Sequence, residues 1–157
     1  MRAALALAAL VALAACSKPD EQPKVTTMRE VSPTPAPPAA LPSTSRDPAK
    51  VLVDWAAAMS LKQWDAAYLY WQAEGTGSGL TLRQFKAKWS KLGNPEFEIH
   101  PGKLEGAAGS SFYTATMVLI DGQRRERGEV VLRRVNDVPG ASAEQLRWHI
   151  ESMTIEP

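Results

Sequence analysis

Two histidines, His100 and His149, are the side chains of this 157-residue chain whose ordinary pKa lies near neutrality, so proton transfer would fall first to them. His149 alternates with Trp148 and Ile150. With Trp148 turned to a core, it is expected on the opposite, wetter surface beside Arg147 and Glu151. The single cysteine, Cys16, cannot form an internal disulfide, and a lone cysteine with two histidines leaves no zinc or iron–sulfur ligand set. No metal, cofactor or catalytic residue is therefore expected. Trp55, Tyr68, Trp71, Trp89 and His100 are candidates to line a ligand pocket, because aromatic faces bind apolar or carbohydrate groups. The aromatic residues among them also fall on core-forming stripes, so packing is the competing reading. Arg124, Arg125, Arg127, Arg133 and Arg134 gather positive charge on one segment, either a surface for anionic groups or a solvated hairpin with cross-strand ion pairs. Gly75 to Gly79 is a turn and not a phosphate loop, since no Gly-Lys-Ser or Gly-Lys-Thr follows it.

Cys16 gains a different chemistry from what precedes it. Arg2 and the unbroken apolar run from Ala3 to Ala15 form a leader of signal-peptide length. A helix needs about 20 apolar residues to cross roughly 30 Å of hydrocarbon, and this run stops earlier. Leu13-Ala14-Ala15-Cys16 resembles the lipobox of bacterial lipoproteins. The resemblance implies that Cys16 is lipidated, that residues 1–15 are removed, and that the mature chain begins at Cys16. An ordinary secretory leader ending beside a buried cysteine is the alternative. Acyl chains contribute about 0.8 kcal/mol per buried methylene, so several would hold the chain on a membrane for good. Ser17, where an Asp would favour retention, implies the outer membrane, with the chain facing the periplasm.

From residue 16 to 46 the chain is rich in proline and lacks aromatic side chains, so it cannot build a core. It reads as a semi-rigid tether that would reach on the order of 90 Å if fully extended. With 18 Lys and Arg against 17 Asp and Glu, no nucleic-acid partner is expected.

Residues 47–157 read as one domain of about 110 residues, enough to bury a core without staples. Asp47 and Pro48 suit a helix start, and Val51, Leu52, Trp55, Ala56 and Met59 recur at helical spacing. Leu61, Trp64, Ala67, Tyr68 and Trp71 predict a second helix. Thr81 and Gln84 form a capping box that opens a third at Leu82, with Phe85, Trp89 and Leu92 on its buried stripe. After Gly93-Asn94-Pro95 the period changes to two. Phe97 and Ile99 mark one strand, and Ser111 to Asp121 the clearest one. Asp121-Gly122 turns into a strand over Arg127 to Val135, and Gln145 to Ile155 predicts a fourth. The fold class is α+β, with three N-terminal helices packed on a curved antiparallel sheet of about four strands.

This element order, with its Val51-Leu52-Trp55 opening and Trp64-Ala67-Tyr68-Trp71 second helix, resembles the nuclear transport factor 2-like superfamily, a cystatin-like α+β cone. The resemblance implies a pocket between sheet and helices that could hold a small apolar ligand. It also implies a possible homodimer through the outer sheet face, with Tyr113, Met117 and Leu119 at the interface. No catalytic position of its isomerases and dehydratases matches a residue here. The expected function is a non-catalytic binding or scaffold domain on an envelope lipoprotein, for a small ligand or an envelope protein. The alternative is a pocket enzyme of isomerase or dehydratase type using His100 or Glu105.

Overall fold

The structure, a computed structural model, describes residues 41–157. Helix α1 spans Pro48–Ser60, α2 Trp64–Tyr68 and α3 Leu82–Trp89. Strands β1 (Glu96–Ile99), β2 (Lys103–Ala107), β3 (Ser110–Asp121) and β4 (Arg124–Val135) follow, then a short helix α4 (Ala143–Leu146) and strand β5 (His149–Met153). The fold is α+β, with one five-stranded antiparallel sheet in which β3 and β4 are central and β5 is an edge. The lipidation residue Cys16, the leader and the tether up to residue 40 lie outside the described residues.

The helix starts follow from capping. Asp47 accepts from the Ala49 N–H at 2.9 Å, with Pro48 in the first turn. Thr81 and Gln84 close the reciprocal box at α3. The second helix is shorter than the apolar stripe predicts. Lys62 takes a left-handed φ of 56°, and the chain leaves the helix after Tyr68. Tyr70 and Trp71 instead run along β5, where the Tyr70 carbonyl accepts from the Ile150 N–H at 2.8 Å. That contact covers part of an edge strand that would otherwise offer free donors and acceptors.

Strands β1 and β2 pair successive parts of β3, Phe97 opposite Leu119 and Leu104 opposite Tyr113. Gly102 sits between them and donates to the Tyr113 hydroxyl at 2.9 Å. A Cβ there would stand 2.5 Å from the Thr114 carbonyl oxygen, so only glycine fits this close approach. The β3–β4 hairpin is in continuous register from Asp121 opposite Arg124 to Ser110 opposite Val135.

The helices cover the sheet face that carries Tyr113, Ala115, Met117 and Leu119 of β3 with Val130, Leu132 and Ile150. This corrects the expected placement of Tyr113, Met117 and Leu119 on an exposed face, since all three are buried core residues. The opposite face of β3 carries Phe112, Thr114, Thr116, Val118 and Ile120, and its threonines make it the less apolar of the two.

Candidate functional site

The five residues expected to line a pocket do not share one. Trp55 and Trp89 pack edge to face with centroids 6.3 Å apart, Trp55 meets Phe97 at 5.2 Å, and Tyr68 meets Phe85 at 5.4 Å. These rings fill the space between helices and sheet, and edge-to-face contacts at such distances add to the area they bury. Tyr68 also satisfies its hydroxyl by donating to the Leu80 carbonyl at 2.8 Å. Trp71 and Trp89 border only a small recess of about 70 Å³, beside the paired Lys88 and Glu156. His100 is exposed at the end of β1 and borders neither space. Glu105 is exposed on β2 and borders an open cleft of about 370 Å³ with Thr114 and Glu129, on the other side of the sheet.

A different cleft, of about 280 Å³, lies where β4 outruns β5. Strand β5 begins at His149 opposite Arg133, so Arg134 and Val135 extend past its first residue. The chain reaches β5 through α4, which Ser142 and Gln145 cap reciprocally. Gln72 and Ala73, from the turn after α2, form the remaining side.

His149 is 8% exposed, which corrects its expected wet position. The cause is α4, which folds back and sets Glu144 2.7 Å from the His149 Nε2. Arg147 donates to the same carboxylate from Nη2 at 2.8 Å and Nε at 3.1 Å, and from Nη2 to the Leu69 carbonyl at 3.1 Å. The Arg147 hydrogen bonds, reinforced by His149, hold the Glu144 carboxyl down at about 2. An imidazole and a carboxylate joined in this way brace α4 against β5.

The arginines are less fully partnered. Arg134 lies with its Cζ 5.6 Å from the Trp148 ring centroid, and its Nη2 donates to Asp137 at 3.2 Å. Its Nη1 is buried with no hydrogen-bond partner among the described residues. Asp137 is engaged more closely by Arg46, at 2.7 and 2.8 Å, and these pairs pull its carboxyl below the usual carboxylate range. Arg133 crosses the face of Phe112 at 5.7 Å and donates to the Ser110 hydroxyl at 3.2 Å from both Nε and Nη2. Sequence reasoning placed these arginines on a hairpin but could not bring them to Glu144 and His149, because the capping box of α4 went unread.

Among the described residues no three His, Cys, Asp or Glu side chains converge as metal ligands do, and no helix is long and apolar enough to cross a membrane. No family model matches the chain, and no curated protein matches it. The solved structure of Bdellovibrio bacteriovorus Bd1075 is similar to it, with a TM-score of 0.49 and 9% identity over 69% of this chain. The match spans 38% of the Bd1075 chain, and a similarity of that size assigns neither family nor activity.

Proposed function

We propose that this chain is a lipoprotein of the bacterial cell envelope, anchored at the outer membrane through Cys16 and presenting a non-catalytic binding domain at the end of a proline-rich tether. The anchor is supported by Leu13-Ala14-Ala15-Cys16 and the apolar run before it. Three helices followed by antiparallel strands, with the helices on one sheet face, support a domain of the nuclear transport factor 2-like type. One observation carries the binding reading. In the cleft the Glu144 carboxylate is taken up by Arg147 and by His149, so it is committed to holding α4 against β5. A general base should titrate near the working pH, and the Glu144 carboxyl, held down at about 2 by its partners, does not. The enzyme alternative has less support, since neither His100 nor Glu105 borders the packed interior.

Cell fractionation tests the anchor. The wild-type chain is expected in the membrane fraction with incorporated palmitate label, and Cys16→Ser is expected to lose the label and become soluble. A Cys16→Ser chain that stays membrane-bound would overturn it. For the binding reading, turnover in a hydrolase and isomerase screen that His149→Ala abolishes would overturn the non-catalytic assignment.

A further inference from the structure

We infer that the free edge of β2 pairs with the β2 of a second copy of this chain, antiparallel about a two-fold axis at Leu104. This goes beyond the binding-domain reading and does not rest on it. Strands β1 and β2 both pair β3 on the side away from β4, and among the described residues no strand lies beyond β2. All five β2 residues are exposed, Leu104 at 65%. The direction of their backbone groups follows from the neighbours. The His100 N–H donates to the Thr116 carbonyl at 3.0 Å, and β3 runs against β4 without a register shift. Thr116, Thr114 and Phe112 therefore all turn their N–H and C=O groups toward β1 and β2. Lys103 opposite Thr114 and Glu105 opposite Phe112 take up these groups. Leu104 and Gly106, alternating with them, aim their own N–H and C=O groups outward at the free edge.

The residues of the edge select its occupant. An antiparallel copy centred on Leu104 sets Lys103 opposite Glu105 of the second copy and Glu105 opposite Lys103 of the second copy, with the two leucines facing on the axis. The outward groups of Leu104 then make a reciprocal pair of hydrogen bonds. The flanking charged pairs fall at the close spacing of about 4.5 Å between Cα atoms, where opposite charges attract best. Lys103 and Glu105 share the outer face of the sheet, and neither enters an ion pair among the described residues. Gly106, the next residue on the Leu104 face, leaves open space beside it. A lysine on an edge strand ordinarily discourages pairing, but in this register a carboxylate answers it, so the edge rejects other strands and accepts its own copy. Such a self-complementary patch closes into a dimer. A strand pair this short buries less than the roughly 1,200 Å² of standard complexes, so association at about 10–100 µM is expected.

The test is sedimentation equilibrium of the full chain in density-matched neutral detergent, at concentrations up to about 500 µM. A monomer–dimer equilibrium is expected. Lys103→Glu and Glu105→Lys are each expected to weaken it by at least about tenfold, and the double variant carrying both to return within about threefold of wild type. Loss of folding could not give that recovery. Leu104→Pro removes an outward N–H while leaving the bonds to β3 in place, and is expected to abolish the dimer. Circular dichroism confirms that each variant is folded. The register is read by oxidation in a Cys16→Ser background. Leu104→Cys is expected to cross-link with itself, and Lys103→Cys with Glu105→Cys when the two are mixed but not alone. A monomer throughout, a dimer that either charge reversal leaves intact, or a double variant no better than the single ones overturns the inference. A dimer that survives Leu104→Pro assigns association to another face and overturns it as well.

Discussion

The aromatic interior and the cleft beyond β5 are built from equally distinctive residues, yet they answer to opposite physics. Trp55, Phe85 and Trp89 are buried against one another and against the sheet, so little space is left for a guest, and the Trp55 Nε1 is buried with no hydrogen-bond partner among the described residues. Around the cleft, His149 and Arg147 converge on the Glu144 carboxylate, and open space remains beside them. Aromatic residues drew attention as pocket walls, while arginines on a hairpin looked like solvated surface. The comparison teaches that large apolar side chains close the space between them, whereas paired charges leave a cleft open to solvent.

Substitutions in the two regions should differ in what they cost in stability. Trp55→Ala is expected to cost about 3–5 kcal/mol, a large part of the roughly 5–15 kcal/mol that holds a domain of this size, read from the urea midpoint. An unchanged midpoint would break the comparison at its interior side. Gly75→Ala should cost on the order of 1–3 kcal/mol, because φ is +96° and the new Cβ would stand 2.2 Å from the Tyr68 ring. Thermal unfolding followed by circular dichroism measures this loss. Removing the α3 cap with Thr81→Ala should lower stability by about 1 kcal/mol. On the cleft side, Arg133→Gln should leave the urea midpoint within about 0.5 kcal/mol of wild type.

The smallest expected effect is that of pH. Glu144 titrates at about 2 in the folded chain against an ordinary value of 4.5. Its contribution is therefore complete above about 4.5 and is lost as pH falls through about 2. Glu144→Gln should flatten part of the acid limb of stability against pH and leave the neutral region little altered. Half the side chain is exposed, so solvent screens the pairing and keeps the effect modest. Parallel acid limbs for wild type and variant would show that the brace does not hold α4 to β5.

Much of the frame was legible in residues whose local chemistry decides the backbone. Asp47-Pro48 and the Thr81–Gln84 box start α1 and α3 as expected, and the alternation over β3 and the turn at Gly122 define the central hairpin. Other elements depend on partners distant in sequence. Lys103–Ala107 forms β2 although its residues are exposed and carry no alternation, because β3 supplies the pairing. The apolar stripe through Trp71 continues past α2, but Ile150 draws that end of it into a bridge with β5. Alternation along β3 separates two faces without saying which one the helices will cover, and Tyr113, Met117 and Leu119 went to the core. At the cleft the missed signal was present. Ser142 and Gln145 have the same capping spacing as Thr81 and Gln84, and it is this short helix that buries His149 and gathers Glu144.

Arg46 clasps the domain where its chain begins to fold, through its pair with Asp137 and through its carbonyl, which accepts from the Trp148 Nε1 at 3.0 Å. Viewed mechanically, these bonds form a peeling joint. A pull on the chain ahead of Arg46 loads Ser43, which bonds Asp54 of α1 and Tyr70, together with one carboxylate and one indole. Asp137 is also the counter-ion of Arg134, and Trp148 is the ring beneath that guanidinium. Tension on the leading segment therefore bears on the same two groups that hold the Arg134 guanidinium.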